Sequence, residues 1–366
     1  MAMFQRQGVL PGQLIREMMC TGFIQHAQGV NVSPASLDLT LSEEVYRVDS
    51  IVQLRKHEKV RDLLTTFNAQ PHPQGEPFMR GQMYLARIAE TISLPDGVYG
   101  YCNPKSTTGR LDVHVRVIAD GVPRFDSLEP AGWSGELWIT ILPNSFPILP
   151  AENQTLSQVR FFTADTRFSE LELQMAVTRD KLLWSHAGEP VSYEDLLVSD
   201  RDGGLALSLD FEGEWNGWRS KHTDKVVDLS QVGGHDADDF FERVRPEDGH
   251  MRLERGRFYI LSTEEAVRVP PRLACEMGAM DERFGDFRSH YAGFIDPGWG
   301  YGAAGEIDGR PLTLEVRPFE DLVIRKGQVI AKTKFERMMS IPDTLYDTRA
   351  SNYSKQAGPR LAKQFR

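Results

Sequence analysis

The chain has 366 residues and a mass of 41.4 kDa, a length that predicts two domains, each with its own core. Its 42 Lys and Arg residues against 52 Asp and Glu residues give a net charge of −10, which disfavours binding to a nucleic acid backbone. Three scattered cysteines are too few for a disulfide framework or a structural zinc site, and no apolar run could span a membrane, so we expect a soluble cytoplasmic protein.

Short runs rich in β-branched and aromatic residues, separated by 31 glycines and 21 prolines, predict strands along most of the chain. Helices are predicted at residues 11–22, near residue 195 (192–200) and near residue 240 (236–244). The clearest predicted strands, in chain order, are residues 114–120, 136–142, 203–211, 257–263 and 321–335. The sequence therefore predicts a mainly β protein of barrel or sandwich type.

Three anchors occur twice in the same order, which predicts an internal duplication. Ser36-Leu37-Asp38-Leu39 recurs as Ser208-Leu209-Asp210-Phe211, Arg80-Gly81 with Tyr84 and Pro95 recurs as Arg255-Gly256 with Tyr259 and Pro270, and Gly132-Trp133 recurs as Gly298-Trp299. A predicted helix precedes each copy, at residues 11–22 and near residue 195. We therefore expect two domains, residues 1–182 and 183–366.

The motifs of several enzyme classes are missing from the sequence. There is no zinc-ligand spacing, no GxSxG elbow and no Walker loop, which disfavours zinc hydrolases, α/β-hydrolases and P-loop enzymes. Residues 103–110 hold two cations, three hydroxyls and a glycine, a composition that fits either an anion site or a plain polar turn.

Glu315 lies in a predicted strand between Leu314 and Val316, so its side chain points away from theirs. It either faces solvent or lines a pocket, where a carboxylate serves as general acid and base. The polar, aromatic and basic segment 346–358 is either a disordered tail or one that closes over a charged ligand.

Together these segments resemble the dCTP deaminase family of the dUTPase-like superfamily, in a long form with two tandem copies. The resemblance rests on residues 33–39, on Leu94-Pro95 ten residues before Lys105-Ser106-Thr107, on residues 295–299 with Leu314-Glu315, and on the Tyr-x-x-Gln-x-Gly pattern of residues 353–358. It implies two dUTPase-like distorted, jelly-roll-like β-barrels. Residues 1–182 would carry the phosphate loop, and residues 183–366 the catalytic glutamate and a phosphate-covering tail.

The resemblance also implies an activity and residue roles. The family hydrolyses dCTP to dUTP and ammonia without zinc, and Mg²⁺ is bound through the triphosphate. The implied catalytic residues are Glu315, Ser106, Arg110 and the backbone of Ala119. The implied substrate-binding residues are Lys105, Thr107, Asp296, Thr313, Leu314, Tyr346, Tyr353, Lys355 and Gln356.

The two copies are unequal. The place of Glu315 falls on Thr140 in the first copy, and that of Lys105-Ser106-Thr107 falls on or near Met280-Asp281-Glu282 in the second. Because the superfamily joins a phosphate loop and a nucleobase hairpin from different barrels, the resemblance implies composite sites. We expect a homo-oligomer, with a trimer of chains favoured.

Several alternatives remain open at this stage. The rival functions are dUTPase activity, a bifunctional step from dCTP to dUMP, and a non-catalytic nucleotide-binding regulatory protein, with dUTP or dTTP as product or regulator. Between Trp299 and Glu315 the second copy is about nine residues longer than the first, which either alters closure of the site or simply extends two strands.

Overall fold

The computed structural model describes residues 6–196, 201–289, 291–349, 353 and 358–366. The helices in this part of the chain are α1 (Gly12–Cys20), α2 (Ser106–Gly109) and α3 (Glu170–Asp180). The first strands are β1 (Ile24–Gln25), β2 (Leu37–Val48), β3 (Gln70–Pro71), β4 (Met83–Ile88), β5 (Thr91–Ser93), β6 (Tyr99–Pro104), β7 (Val113–Ala119), β8 (Ser127–Leu128), β9 (Ser134–Gly135), β10 (Leu137–Pro143), β11 (Ile148–Leu149) and β12 (Thr155–Phe162). The remaining strands are β13 (Leu183–Trp184), β14 (Gly204–Ser208), β15 (Gly217–Ser220), β16 (Val227–Asp228), β17 (Phe241–Val244), β18 (His250–Leu253), β19 (Tyr259–Val267), β20 (Leu273–Gly278), β21 (Phe287–Arg288), β22 (Phe294–Ile295), β23 (Arg310–Pro318), β24 (Leu322–Arg325) and β25 (Val329–Arg337).

The chain forms two compact units. Unit 1 comprises Met1–Asp165, His222–Phe240 and Ala362–Arg366, and unit 2 comprises Thr166–Lys221 and Phe241–Leu361. Residues 166–182, which we expected in the first domain, are part of unit 2. The units therefore divide earlier in the chain than the predicted boundary between residues 182 and 183.

Unit 1 is built on one large antiparallel sheet with the strand order β7-β10-β4-β2-β12-β6-β8. Strand β2 carries the bend of this sheet, because Leu37–Thr40 pair with β12, whereas residues from Leu41 onward pair with β4 across a register shift. Strand β7 at one end of the order contacts β6 and β8 at the other, so the sheet nearly closes into a barrel. The mainly β barrel-type prediction is confirmed.

Unit 2 has the same kind of architecture with shorter pairings. Its sheets have the orders β17-β15-β19-β23-β21 and β14-β25-β20-β22, and the pair β18-β24 lies apart from both. The inward side chains of these strands form one apolar cluster that includes Leu261, Leu314 and Phe335, each 0% exposed. Glu315 lies on β23, which is flanked by β19 and β21.

Backbone hydrogen bonds repeat between the two units and confirm two of the three predicted anchors. The Tyr84 hydroxyl accepts from Met79 N at 2.9 Å, as the Tyr259 hydroxyl does from Glu254 N at 2.9 Å. Gly81 N donates to Pro143 O and Gly256 N to Pro318 O, at 2.8 and 2.9 Å; Leu94 N donates to Trp133 O and Val269 N to Trp299 O, at 2.8 and 2.9 Å.

The first predicted anchor is wrong by four residues. Thr40 N donates to Glu90 Oε2 at 2.9 Å, and the same contact recurs from Ser208 N to Glu265 Oε2 at 2.8 Å. Leu37–Thr40 therefore correspond to residues 205–208, and not to residues 209 onward. Alternating leucines occur in many strands, so a four-letter match of this kind does not fix the register.

The helix that opens the second copy is α3. Val9 bridges Phe162 shortly before α1, and Arg167 bridges Glu336 shortly before α3, so the two helices hold equivalent places. The described part of the helix expected at residues 192–200 is not helical, because residues 192–196 form turn and irregular structure. Residues 197–200 lie outside the described residues.

The other helix predictions had mixed outcomes. The prediction at residues 11–22 is confirmed as α1. Near residue 240 the prediction is wrong: Asp236 caps a single 3-10 turn, Ala237–Asp239, and the chain then enters β17. In the described part of the chain, no helix is long and apolar enough to cross a bilayer.

Candidate active site

The predicted phosphate loop is a short turn of helix between β6 and β7 in unit 1. Lys105 N donates to Leu156 O at 3.0 Å, and the Thr108 hydroxyl donates to the same carbonyl at 2.8 Å. Arg110 N donates to Ser106 O at 3.1 Å, which closes α2 at its C-terminal end. These bonds fix the loop backbone to β12, so the loop is a preorganised element of the sheet.

The side chains of this loop combine positive charge with hydroxyl groups. The Lys105 ammonium contacts the Asp38 carboxylate and lies 2.7 Å from the Thr155 hydroxyl. Ser106 and Thr107 are half-buried, and Arg110 is buried. Ammonium, guanidinium and hydroxyl groups in one turn are the donors that bind phosphate oxygens.

Glu315 is a buried carboxylate held by backbone donors. Its side chain is on β23 in unit 2, and the residue is 2% exposed. Its Oε2 accepts hydrogen bonds from Tyr291 N at 2.8 Å and from Ala292 N at 2.9 Å. Burial of a carboxylate requires such donors, and two bonds to one oxygen fix the orientation of the group.

The backbone donors are available because the chain leaves the sheet beside Glu315. In unit 2, β21 pairs with β23 only through Phe287 and Arg288. In unit 1, β7 instead pairs with β10 along Val113–Ala119, and its backbone amides are used in the hydrogen bonds of the sheet. Residue identities carry no signal for backbone donors, so Tyr291 and Ala292 could not be predicted from the sequence.

Asp296 begins a tight hairpin that receives the start of the C-terminal segment. Asp296 is 9% exposed, and its carbonyl accepts from Trp299 N at 3.2 Å. Tyr346 N donates to Pro297 O at 2.9 Å, and the Tyr346 ring lies 5.1 Å from the Trp299 ring. Tyr346 and Asp296 are thus brought together in unit 2.

The extra residues of the second copy fold onto this same region. The Arg310 guanidinium lies 3.4 Å from the Asp347 carboxylate, which also accepts from Gly302 N at 3.2 Å. Arg268 donates to Gly305 O at 2.7 Å and to Ile307 O at 3.0 Å. The longer hairpin is therefore held in place by one arginine on β23 and another just after β19.

Three predicted site residues offer only part of their surface to a ligand. Thr313 pairs with Ser262 in the sheet and is half-buried. The Leu314 side chain lies in the core of unit 2, so only its backbone is available for binding. Tyr353 is 6% exposed and packs in the same core.

Three further predicted site residues are an alanine of unit 1 and two residues outside the described part of the chain. Ala119 ends β7 in unit 1, is 0% exposed, and its carbonyl accepts from Val122 N at 3.1 Å. Lys355 and Gln356 lie outside the described residues.

Strand register confirms that the second copy lacks the cationic loop. Asn103 pairs with Gln158 in unit 1, and Gly278 pairs with Lys332 at the corresponding place in unit 2. Two residues further along, Lys105 therefore corresponds to Met280, which is followed by Asp281 and Glu282.

Comparison with known proteins gives a consistent result over nearly the whole chain. Residues 6–165 match the family model of the 2′-deoxycytidine 5′-triphosphate deaminase N-terminal domain, and residues 176–365 match that of its C-terminal domain. The crystal structure of 2′-deoxycytidine 5′-triphosphate deaminase from Agrobacterium tumefaciens is 34% identical, with a TM-score of 0.84 over 93% of this chain and 98% of that chain.

Two other outcomes add nothing to this result. A mutant oxalate decarboxylase from Bacillus subtilis aligns at 11% identity over 84% of this chain and 80% of that chain, and its TM-score of 0.11 is too low to indicate a shared fold. No curated protein sequence matches the chain. Both family models and the similar crystal structure agree, and the chain belongs to the dCTP deaminase family.

Proposed function

We propose that this protein hydrolyses dCTP to dUTP and ammonia at composite sites, each joining a phosphate loop of a first copy to the glutamate of a second copy. The observation that carries the proposal is the buried Glu315 carboxylate, which two backbone amides hold in one orientation. Its place in the first copy is taken by Thr140, while the cationic loop exists only in that first copy. Neither copy holds both groups.

The reaction proceeds by addition of water and loss of ammonia. Glu315 takes a proton from a water molecule as the water oxygen forms a bond to C4 of cytosine. Glu315 delivers this proton to N3, then takes the proton of the new C4 hydroxyl and delivers it to the amino group. The C4–N4 bond breaks as the C4=O bond forms, and ammonia leaves with dUTP as the other product. A positioned acid and base of this kind contributes roughly 10²–10⁴ in rate.

Ser106, Arg110 and a backbone carbonyl hold the attacking water and the loop around it. Ala119 is the predicted source of that carbonyl, although its oxygen is already bonded to Val122 N at 3.1 Å. Fixed donors and acceptors around the reacting atoms supply the orientation that the reaction needs.

The remaining predicted residues divide between the two ends of the substrate. Asp296 and the backbone of Thr313 and Leu314 read the sugar and the base. The proposed phosphate ligands are Lys105, Ser106, Thr107, Tyr346, Tyr353, Lys355 and Gln356.

The substrate is proposed to be the Mg²⁺ complex of dCTP. Mg²⁺ prefers phosphate oxygens with one or two carboxylates, and needs no cage of protein ligands. Among the described residues, no group of three or more His, Cys, Asp or Glu side chains is placed to hold a metal ion. An ion bound in this way would neutralise part of the charge on the triphosphate.

Composite sites also determine the proposed assembly. If loop and glutamate come from different chains, the active protein is a homo-oligomer, and a trimer of chains supplies complete rings of barrels. The cytoplasm, where nucleotides are interconverted, is the proposed location.

The activity is tested by incubating the purified protein with dCTP and Mg²⁺ and measuring ammonia and pyrophosphate together. Release of ammonia with dUTP and without pyrophosphate is the expected result. Both products would instead identify a bifunctional enzyme, and pyrophosphate from dUTP alone a dUTPase. Nucleotide binding with neither product would overturn the proposal in favour of a regulatory protein.

A further inference from the structure

The second copy contains a loop that the first copy lacks. We call residues 300–309, which lie between Trp299 and β23, the inserted loop. In the first copy, Trp133 is followed directly by β9. Strand β10 pairs with β4 there just as β23 pairs with β19 in the second copy. The strand pair that carries Glu315 therefore does not need the inserted loop.

The inserted loop has hydrogen bonds of its own. Gly309 N donates to Gly300 O at 3.0 Å and closes the base of the loop. The Glu306 carboxylate accepts from Ala304 N at 2.7 Å, and Arg268 donates to two further carbonyls of the loop. These bonds fix the shape of the loop and its position against unit 2.

The inserted loop and the residue that follows it provide the partners of a buried carboxylate. The Asp347 side chain is 2% exposed. Its Oδ2 accepts from Gly302 N at 3.2 Å, and its Oδ1 lies 3.4 Å from Nε of Arg310. Among the described residues, Asp347 has no other hydrogen-bond or ion-pair partner. Burial of a carboxylate without partners is unfavourable, so the loop is what allows Asp347 to be buried.

Asp347 lies in the same turn as a predicted phosphate ligand. Tyr346–Thr348 form one 3-10 turn, so a fixed Asp347 also fixes the backbone of Tyr346. Tyr346 in turn bonds to Pro297 O and packs on the Trp299 ring. The conformational entropy of this segment is thus lost on folding, and not on ligand binding.

We propose that the inserted loop positions Tyr346 for a nucleoside triphosphate, by holding Asp347 through Arg310 and Gly302 N before the ligand binds. Asp347 and Arg310 are then positioning residues. The inference rests on the proposed function because it takes Tyr346 as a phosphate ligand. It gives the extra residues of the second copy a role in ligand affinity, beyond the extension of two strands.

The first measurement needs no ligand. Trypsin cuts after Arg349, which directly follows the turn, and the rate of this cut follows the population of the opened segment. Asp347→Asn keeps the volume and an acceptor for Gly302 N but removes the charge opposite Arg310, and Arg310→Gln removes the other charge. We expect the cut at Arg349, followed by mass spectrometry, to be at least about tenfold faster in each variant than in the wild type.

The second measurement compares steady-state kinetics. If about a tenth of the variant molecules hold the turn in place, KM and Kd for dCTP rise about tenfold. The kcat changes less than about twofold, because Tyr346 is proposed to bind phosphates away from the reacting ring. In the double variant KM rises no further than in the weaker single variant, because the two charges act as one pair.

Two further variants serve as controls. Arg310→Lys keeps the positive charge and should restore most of the dCTP affinity. Arg325→Gln removes an exposed arginine of β24 in the same unit, and with it one trypsin site, as Arg310→Gln does. Its cut at Arg349 and its KM should equal those of the wild type.

The outcomes separate this inference from the proposed function. Unchanged cutting and unchanged KM in Asp347→Asn and Arg310→Gln would overturn the inference, and so would faster cutting with unchanged dCTP affinity. A loss confined to kcat would overturn it as well. If the wild type binds dCTP without releasing ammonia, and both variants bind it about tenfold more weakly by calorimetry, the inference stands and the proposed function fails.

Discussion

Thr140 and Glu315 occupy the same position in two copies of one strand pair. Thr140 lies opposite Leu85 on β4, and Glu315 lies opposite Ile260 on β19. The Thr140 hydroxyl donates to the carbonyl of Arg116 at 3.4 Å, and a hydroxyl is no general base at neutral pH. Only the second copy therefore places a carboxylate at this point of the sheet.

Replacement of Glu315 by Gln is expected to stop ammonia release while dCTP still binds. The amide has the size of the carboxylate and can still accept from Tyr291 and Ala292, but it cannot take a proton from water. Loss of the acid and base should lower kcat by at least roughly 10²–10⁴. Ammonia release and calorimetric dCTP binding are the measurements. Glu320→Gln, at an exposed position of unit 2, is the matched control, and turnover retained in Glu315→Gln would remove this residue from its role.

Mixing two inactive variants tests whether sites form between chains. Arg110→Ala damages the loop and Glu315→Gln damages the proton shuttle, so each is expected to be inactive alone. After subunit exchange of an equal mixture, about a quarter of the sites would draw both intact parts, because each part is drawn independently. Ammonia release should recover to about that fraction. Each variant put through the same exchange alone is the control, and no recovery would contradict sites shared between chains.

Gly298→Ala is expected to disturb the docking of Tyr346. Gly298 has a φ of +92°, and a Cβ there would lie 2.6 Å from Leu345 Cβ and 2.8 Å from Tyr346 N. Strain of this kind costs about 1–3 kcal/mol, and KM for dCTP should rise as Tyr346 moves. Urea unfolding and steady-state kinetics measure the two effects.

A glycine of the same unit provides the control for that substitution. Gly327 has a φ of +78°, but a Cβ there would have no heavy atom within 4 Å. Gly327→Ala therefore introduces the backbone strain without the clash. Equal losses of stability in both variants would show that the contact with residues 345 and 346 contributes nothing.

The stability of unit 2 should depend on pH through Glu265. Burial raises the pKa of Glu265, and the Ser208 amide and hydroxyl oppose this only in part. The unfolded chain therefore ionises first as pH rises, and the folded state loses relative stability between the unfolded pKa and the raised folded one. Glu265→Gln does not ionise, so its stability relative to wild type should increase as pH rises above the pKa of the unfolded glutamate.

A residue with the opposite shift gives the control for the pH experiment. Hydrogen bonds from Ala304 N and Ala303 N lower the pKa of Glu306. Its contribution is present above the unfolded pKa and is lost on acidification, so Glu306→Gln should fall below wild type as pH rises. Urea unfolding across the pH range checks both signs, and parallel curves for wild type and Glu265→Gln would contradict the first.

The strands and two of the three repeated anchors could be predicted because their residue types favour those local structures. The predicted strands around residues 114–120, 136–142 and 257–263 correspond to β7, β10 and β19. The Gly-Trp anchors mark turns in which glycine adopts a positive φ, +80° at Gly132 and +92° at Gly298. The leucine-rich anchor of residues 36–39 has no such constraint, and its predicted register against residues 208–211 is wrong.

Helix α3 was missed although its signal is present in the sequence. Ser169 and Glu172 form a reciprocal capping box at its N-terminus, and this S-x-x-E spacing is readable without a structure. Near residue 240, Asp236 gives a similar cap to only one turn, which misled the prediction. A cap therefore marks where a helix starts and leaves its length undetermined.

The site was predictable only where side chains carry the chemistry. Glu315 and the cationic loop could be singled out from residue types. The positions of the Tyr291 and Ala292 amides depend on where β21 ends. Local sequence holds no signal for that end point.

The most direct test of the division of labour is a crystal structure of Glu315→Gln with dCTP and Mg²⁺. We expect the cytosine C4 to lie about 3–4 Å from a water molecule held by the side chain of residue 315, with the triphosphate on a loop of residues 105–110. A nucleotide whose base lies far from residue 315, or a residue 315 remote from every such loop in the assembly, would contradict the account.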